Sequence, residues 1–366
     1  MKHGWLRRTL ILLIAVGLCA GMVFYSRRET KSAPKSETLT LWYAQEDCSD
    51  AAMESLIARC RKETGIQIKT MAFANEAFLA AAFEGMSGAA PELPDLLFCS
   101  HVRAAVLDER MGLAEIAESL PLSSSLAEVC PTVGKSFFPI GSRLPMMLVN
   151  TSLTDADFDS FEALLFAAGD DPFLGCDCWA ELLYTEAAAK GIRLTGETEQ
   201  SFGDTQIAAL YNKLAMSVFR GGLVCTENPA EYVRQGLLPC AISMSSSLAG
   251  FTDKTLSVRL LPLPEGAETR YPAELMGFAL LSSSRMDAAV RFFHWLWSGP
   301  AAGAAVEAGL APIMMTSGTQ ANSELEKCLY EVSEKVPLFL LEPEEPFVQN
   351  RTAFERWLRE TLDLLN

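Results

Sequence analysis

Residues 38–43 (TLTLWY) alternate polar and apolar side chains as a half-buried strand does, and the period then changes. Ser49 or Asp50 can cap a helix on which Met53, Leu56, Ile57 and Cys60 recur at the spacing of one helical face. Gly65 stops that helix, and residues 66–71 (IQIKTM) alternate again as a second strand. A strand, helix, strand order of this kind favours a parallel, right-handed unit. An Ala- and Phe-rich helix is expected near 75–87, then a turn at 91–94 (PELP), a short apolar strand at 95–98 (DLLF) and a helix after His101. This part reads as an open, doubly wound α/β sheet, with ligand groups expected beyond the carboxyl ends of its strands.

Residues 134–150 (GKSFFPIGSRLPMMLVN) form an extended segment with two prolines. A helix is expected over 158–168, capped by Asp159 or Ser160, with Phe161, Leu164, Leu165 and Ala168 on one face. Helical patterns continue at 178–190 and 204–220, and strand-like runs appear at 240–244, 257–261 and 275–281. Ser284, three residues before Asp287, resembles a capping box for an apolar helix over 286–298. The last long helix is expected to start near Asn350. No internal repeat is visible.

Residues 9–26 are 18 consecutive uncharged, mostly apolar positions, bracketed by Arg7-Arg8 and Arg27-Arg28. As a helix the run covers about 27 Å, close to the hydrocarbon thickness of a bilayer. Three outcomes stay open: a cleaved signal peptide, a lipoprotein signal using Cys19, or an uncleaved signal anchor. The bulky Leu18 before Cys19 fits the lipoprotein form poorly. All three place the body on the outer face of the cytoplasmic membrane. Residues 27–37 (RRETKSAPKSE) read as a polar tether.

Composition narrows the class. The chain has 366 residues, 49% apolar and 21% charged, which suits a globular protein of about two domains and excludes disorder or a multi-span membrane protein. Net charge is −16, and residues 1–36 hold seven basic groups against one acidic. The remainder carries 23 basic and 45 acidic groups, a net of −22, and such a body repels phosphate backbones, so nucleic acid is not an expected partner. Ten cysteines include one tight pair, Cys176 and Cys178. The three histidines, His3, His101 and His294, neighbour no cysteine motif, so no metal site is expected and buried thiols are the default.

The order of these features resembles the extracellular solute-binding proteins of bacterial ABC importers, family 1, the maltose-binding-like group. Residues 38–43 with 62–66 (KETGI) resemble the opening strand and helix of that family, and 94–98 (PDLLF) its third strand. Gly134, Lys135, Pro139, Leu148 and Asn150 resemble its crossover between lobes, and 161–165 (FEALL) the helix that follows. Residues 277–280 (GFAL) with 287–297 resemble the late return to the first lobe.

The resemblance implies a two-lobe α/β clamp of the type II periplasmic-binding-protein kind, with hinge crossovers. Lobe 1 is then 38–140 plus 277–310, and lobe 2 is 141–276 plus 313–366. It also implies a cleft lined by Tyr43, Gln45, Glu46 and Asp47 after the first strand, and by Ser100, His101 and Arg103 after the third. Arg143 in the crossover, Asp177 and Trp179 in lobe 2, Ser245, Ser246 and Ser247 after residues 240–244, and Met276 complete the set. Two aromatic platforms on which relatives stack sugars are replaced by Leu248 and Met276, so a long oligosaccharide is not expected. Convergence of Arg103, Arg143 and His101 predicts a small polar solute bearing an acid, because guanidinium forks pair with planar anions. Alternatively Glu274 or another acidic neighbour ties Arg143 up.

The implied function is capture of a small solute, of the carbohydrate class by family, for an ABC permease, with no cofactor. The alternative is an anchored ligand sensor or interaction protein that keeps the clamp without transport. Catalysis is not expected: no GxSxG elbow, HExxH or phosphate loop occurs.

Overall fold

A computed structural model describes residues 38–85, 93–116, 133–178, 205–226, 228–251, 253, 255–262, 271–282, 284–313, 321, 323–335 and 338–340. The apolar N-terminal segment, the helix expected at 178–190 and the one expected from Asn350 lie outside these residues. Among the described residues no helix is long and apolar enough to cross a membrane.

The opening unit forms as its sequence pattern requires. Strand β1 (Thr38–Ala44) leads to helix α1 (Asp50–Thr64), whose N-cap Ser49 accepts the Ala52 N–H. Gly65 ends α1 at φ 78°, a left-handed turn that glycine adopts without a Cβ penalty. Strand β2 (Gln67–Phe73), helix α2 (Glu76–Gly85), strand β3 (Leu96–Ser100) and helix α3 (His101–Met111) follow. The extended segment with two prolines becomes two strands, β4 (Phe137–Arg143) and β5 (Pro145–Asn150), buried at every position. Leu144 is the only residue between them, yet they belong to different sheets.

Helix α4 (Phe161–Ala167) is capped by Ser160 and starts later than the pattern suggested. Strand β6 (Leu174–Cys176), helix α5 (Thr205–Arg220), strand β7 (Leu223–Cys225), helix α6 (Pro229–Arg234) and strand β8 (Cys240–Met244) build the second region. A short 3-10 turn (Ser245–Leu248), strand β9 (Leu256–Leu260) and the long strand β10 (Tyr271–Leu280) come next. Helices α7 (Met286–Trp297) and α8 (Pro300–Glu307), strand β11 (Ala311–Pro312), helix α9 (Glu324–Lys335) and strand β12 (Leu338–Leu340) close the described chain.

One capping expectation fails. Arg285, not Ser284, occupies the N-cap of α7, and no side chain caps that helix end. The Ser284 hydroxyl instead donates to Asp95, and Arg285 bonds the other Asp95 oxygen at 2.7 Å. Buried Asp95 also accepts from the Thr40 N–H and hydroxyl, so a tertiary anchor for β1 outcompetes the local cap.

The first sheet runs β11-β4-β10-β3-β1-β2, with β12 also on β10, and the second runs β7-β6-β8-β5-β9. β1 and β3 are parallel, whereas β10 returns antiparallel between β3 and β4. Its register on β4 shifts between Met276 and Gly277, where a Cβ on Gly277 would lie 2.3 Å from the Phe138 carbonyl oxygen. Only glycine allows that approach at the bulge. Both faces of the first sheet are apolar: Leu39, Leu41 and Tyr43 pack with Phe138, Phe278 and Phe293, while Trp42 and Ala44 pack with Leu79, Leu97 and Phe137 on the other side. Truncating any one of these buried phenylalanines to alanine would cost about 3–5 kcal/mol.

Candidate functional site

The loops at the carboxyl ends of β1 and β8 meet between the two sheets. β1 ends in the loop holding Gln45, Glu46 and Asp47, and β3 ends at the Ser100 cap of α3. β8 ends in the serine turn, and β6 ends one residue before Asp177. The Ser246 hydroxyl lies 3.5 Å from the Glu46 carbonyl oxygen, so the loops of the two sheets touch. Gly309, at φ 72°, lets another first-region segment meet the same turn, because a Cβ there would stand 2.4 Å from the Ser245 carbonyl oxygen.

The centre of the site is ionic. Arg143, the last residue of β4, donates from Nη1 to Asp47 Oδ1 at 2.6 Å and from Nε to Glu274 Oε2 at 3.1 Å, and its Nη2 also bonds Glu274. Glu274 faces Arg143 in the strand register, while Asp47 reaches it from the loop after β1. The three residues are 3–9% exposed. One guanidinium therefore serves two buried carboxyl groups. Burial pushes the Asp47 carboxyl up to about 7, against the pull of Arg143 and with help from Glu76, Glu46 and Glu274. Burial pulls the Arg143 guanidinium the other way, but Glu274 and Asp47 outweigh it and hold the cation protonated.

A second pair flanks the first. Arg103 Nε donates to Glu76 Oε1 at 2.8 Å, and Glu46 Oε1 accepts the Glu76 N–H at 2.7 Å at the start of α2. The charge of Glu46 complements that helix N-terminus. Tyr43 is buried and donates to Asp50 at 2.6 Å, and Gln45 donates to the other Asp50 oxygen at 2.7 Å. Burial, then the Asp50 bond, push the Tyr43 phenol upward, so it stays neutral.

Several expected cleft residues serve the frame instead of presenting a surface. His101 is fully buried, and its Nδ1 accepts the Leu275 N–H at 3.1 Å, tying α3 to β10. Met276 is fully buried in the main core, Ser100 caps α3 by accepting the Arg103 N–H, and buried Ser245 accepts the Leu144 N–H. Ser246 is half-buried, Ser247 is exposed, and Asp177 accepts from Ser243 at 3.1 Å. Trp179 lies outside the described residues.

Of the two readings of Arg143, the structure shows the one in which Glu274 engages it, and Asp47 joins the pair. Arg143 gives all three nitrogens to Asp47 and Glu274, whereas Arg103 gives its Nε to Glu76. Sequence reasoning named Glu274 only as a competitor and missed Glu76, for which the signal was its position in the first turn of a helix. The replaced platforms, Leu248 and Met276, are both core residues, and Trp42 lies tilted against Phe73 and Phe83 with ring centroids at 5.2 and 5.4 Å. Among the described residues no group of three metal-ligating side chains is placed to hold an ion.

No protein-family model matches the sequence, and no curated protein matches it. Solved structures do share the fold. The GacH receptor of Streptomyces glaucescens, crystallised unliganded and with acarbose, superposes with a TM-score of 0.70 at 15% identity, covering 90% of this chain and 92% of that one. The spermidine/putrescine ABC transporter substrate-binding protein of Streptococcus pneumoniae gives 0.64 at 13% identity, with coverage of 88% and 99%. The cyclic α-maltosyl-1,6-maltose binding protein of Arthrobacter globiformis gives 0.63 at 13% identity, with coverage of 90% and 96%. The fold is thus the two-lobe α/β clamp of the type II, maltose-binding-like solute-binding proteins, and these neighbours are binding proteins rather than enzymes.

Proposed function

We propose that this chain is an exported, membrane-associated receptor that captures a short, neutral, hydroxyl-rich solute of the carbohydrate class for the permease of an ABC importer. Residues 38–140 with 277–310 act as one jaw, residues 141–276 with 313–366 as the other, and the N-terminal segment holds them outside the cytoplasmic membrane. Closure on a ligand needs contacts that exist only when both jaws engage. The strand-end loops that touch through Glu46 and Ser246 offer such contacts from both sides.

The observation that carries the ligand class is the pairing of Arg143 with Asp47 and Glu274. With Arg103 held by Glu76, the site offers surplus carboxylate lone pairs and serine hydroxyls, which suit hydroxyl donors and repel acids. The aromatic positions that relatives use for long chains are core residues here, which favours a short sugar.

A thermal-shift screen of neutral mono- to trisaccharides, uronic acids, amino acids and polyamines tests this reading. A true ligand at 100 times its Kd adds about 2.7 kcal/mol of stability. A neutral saccharide is expected to raise the Tm while its uronate does not. Stabilisation by the uronate, or by a polyamine alone, overturns the ligand class.

A further inference from the structure

The second sheet brings two distant cysteines into register. Cys176 ends β6 and Cys225 ends β7, and these parallel strands pair Cys176 directly with Cys225. Neighbouring strands lie about 4.7–4.9 Å apart. That spacing falls inside the window of about 4.4–6.8 Å between Cα atoms that a disulfide can bridge.

The two thiols also share a face. Leu174 and Leu223, two residues earlier on each strand, pair in the same ladder and pack in one core cluster with Cys176. Side chains two apart along a strand lie on the same side, so Cys225 stands on the Cys176 face. Among the described residues no other cysteine pairs in register with a cysteine. Their accessibility differs: Cys176 is buried, while Cys225 is exposed on the edge strand of the sheet. An oxidant in solution can reach one sulfur, and the second stands beside it.

We propose that Cys176 and Cys225 are a redox pair that closes to a cross-strand disulfide by exchange with a small disulfide. The Cys225 thiolate attacks one sulfur of the small disulfide and expels a thiolate, which takes up a proton. The Cys176 thiolate then attacks the Cys225 sulfur of the mixed disulfide and expels the second thiolate. In sum, two protein thiols and one small disulfide give one protein disulfide and two small thiols. The bridge pins the ends of β6 and β7 immediately before Asp177 and closes the chain between positions 176 and 225 into a loop. Cys225 is exposed to a dissolved disulfide, and exchange accelerates as rising pH increases the thiolate fraction. Proposed export supplies the oxidising setting, but the chemistry is testable without it.

The test treats the full chain, solubilised in mild detergent under native conditions, with oxidised glutathione at pH 7 and pH 9. Remaining thiols are then alkylated, and the digest is mapped by mass spectrometry. The expected result is a linked peptide pair joining Cys176 to Cys225, formed several-fold faster at pH 9 and lost on reduction. The exposed-site variant Cys225→Ser is expected to fold normally and to lose this link, and Cys176→Ser to leave Cys225 as a glutathione adduct. A glutathione adduct on Cys225 without a bridge in the unmutated chain, a bridge to Cys178 instead, or persistent alkylation of both thiols overturns the proposal.

Discussion

Replacing Asp47 by asparagine separates the two forces acting on the buried ionic trio. The asparagine keeps an oxygen to accept the Arg143 Nη1 bond and removes only the charge. Asp47 is 3% exposed, and Arg143, which it meets at 2.6 Å, is shared with Glu274. Burial raises the Asp47 carboxyl from the ordinary 3.8 to about 7. The native state therefore binds this proton more tightly than the unfolded chain does. Its stabilisation is fully present below about pH 4 and is lost as pH rises through about 7. At about 1.4 kcal/mol per pH unit, the loss across that window is on the order of 4 kcal/mol.

The assay is urea unfolding of both proteins at about pH 4, 5, 6, 7 and 8. Every other titrating group is common to the two, so the difference between their unfolding free energies isolates Asp47. That difference is expected to move in favour of Asp47→Asn as pH rises and to level off above about pH 7. Two outcomes refute the reasoning. Parallel curves mean that Asp47 titrates at its ordinary value in the fold. A variant that grows relatively weaker with rising pH means that attraction to Arg143 outweighs burial, and the ion pair is then a net source of stability.

Other substitutions test the frame around this group. Arg143→Met leaves Asp47 and Glu274 buried without their cation, and is expected to cost about 3–5 kcal/mol at pH 8 and less at pH 5, read by urea unfolding. A cost that does not shrink in acid would mean lost packing rather than stranded charge. Gly309→Ala places a Cβ 2.4 Å from the Ser245 carbonyl oxygen at a φ of 72°, so a loss of about 1–3 kcal/mol in the same assay is expected. An unchanged midpoint would show that the two segments separate in solution.

Much of the frame was legible because it depends on near neighbours in the chain. Ser49, Ser160 and Gly65 act at the ends their sequence positions suggested, since a cap needs only the next two or three residues. Ser284 failed for the opposite reason: its hydroxyl goes to Asp95, 189 positions away, and no local pattern announces that partner. β4 and β5 were visible only as an extended stretch. Strands buried on both faces lose the alternation that marks half-buried ones, and no periodicity shows that Leu144 divides two sheets.

The sequence reading named Arg143, Asp47 and Glu274, but not the charge balance their contacts set. Arg143 meets Asp47 across 96 positions and Glu274 across 131, so whether its fork is open to a ligand is settled by tertiary pairing alone. Once the partners are counted, the sign of the site reverses. Glu46, Asp47, Glu76 and Glu274 stand against Arg103 and Arg143, and the rise of Asp47 to about 7 leaves that carboxyl only partly charged at neutral pH. An acidic solute about 6 Å from one ionised carboxylate, at an effective dielectric of about 20, is repelled by roughly 3 kcal/mol. At 1.4 kcal/mol per decade, that repulsion is worth about a hundredfold in Kd. Arg143, already engaged with two carboxylates, must give up one of those bonds before it can take another partner. A hydroxyl group meets no such barrier, because carboxylate oxygens in these pairs keep lone pairs that can accept from it. The contacts of Arg143 with Asp47 and Glu274 are thus what supports the proposed neutral, hydroxyl-bearing solute over an acidic one.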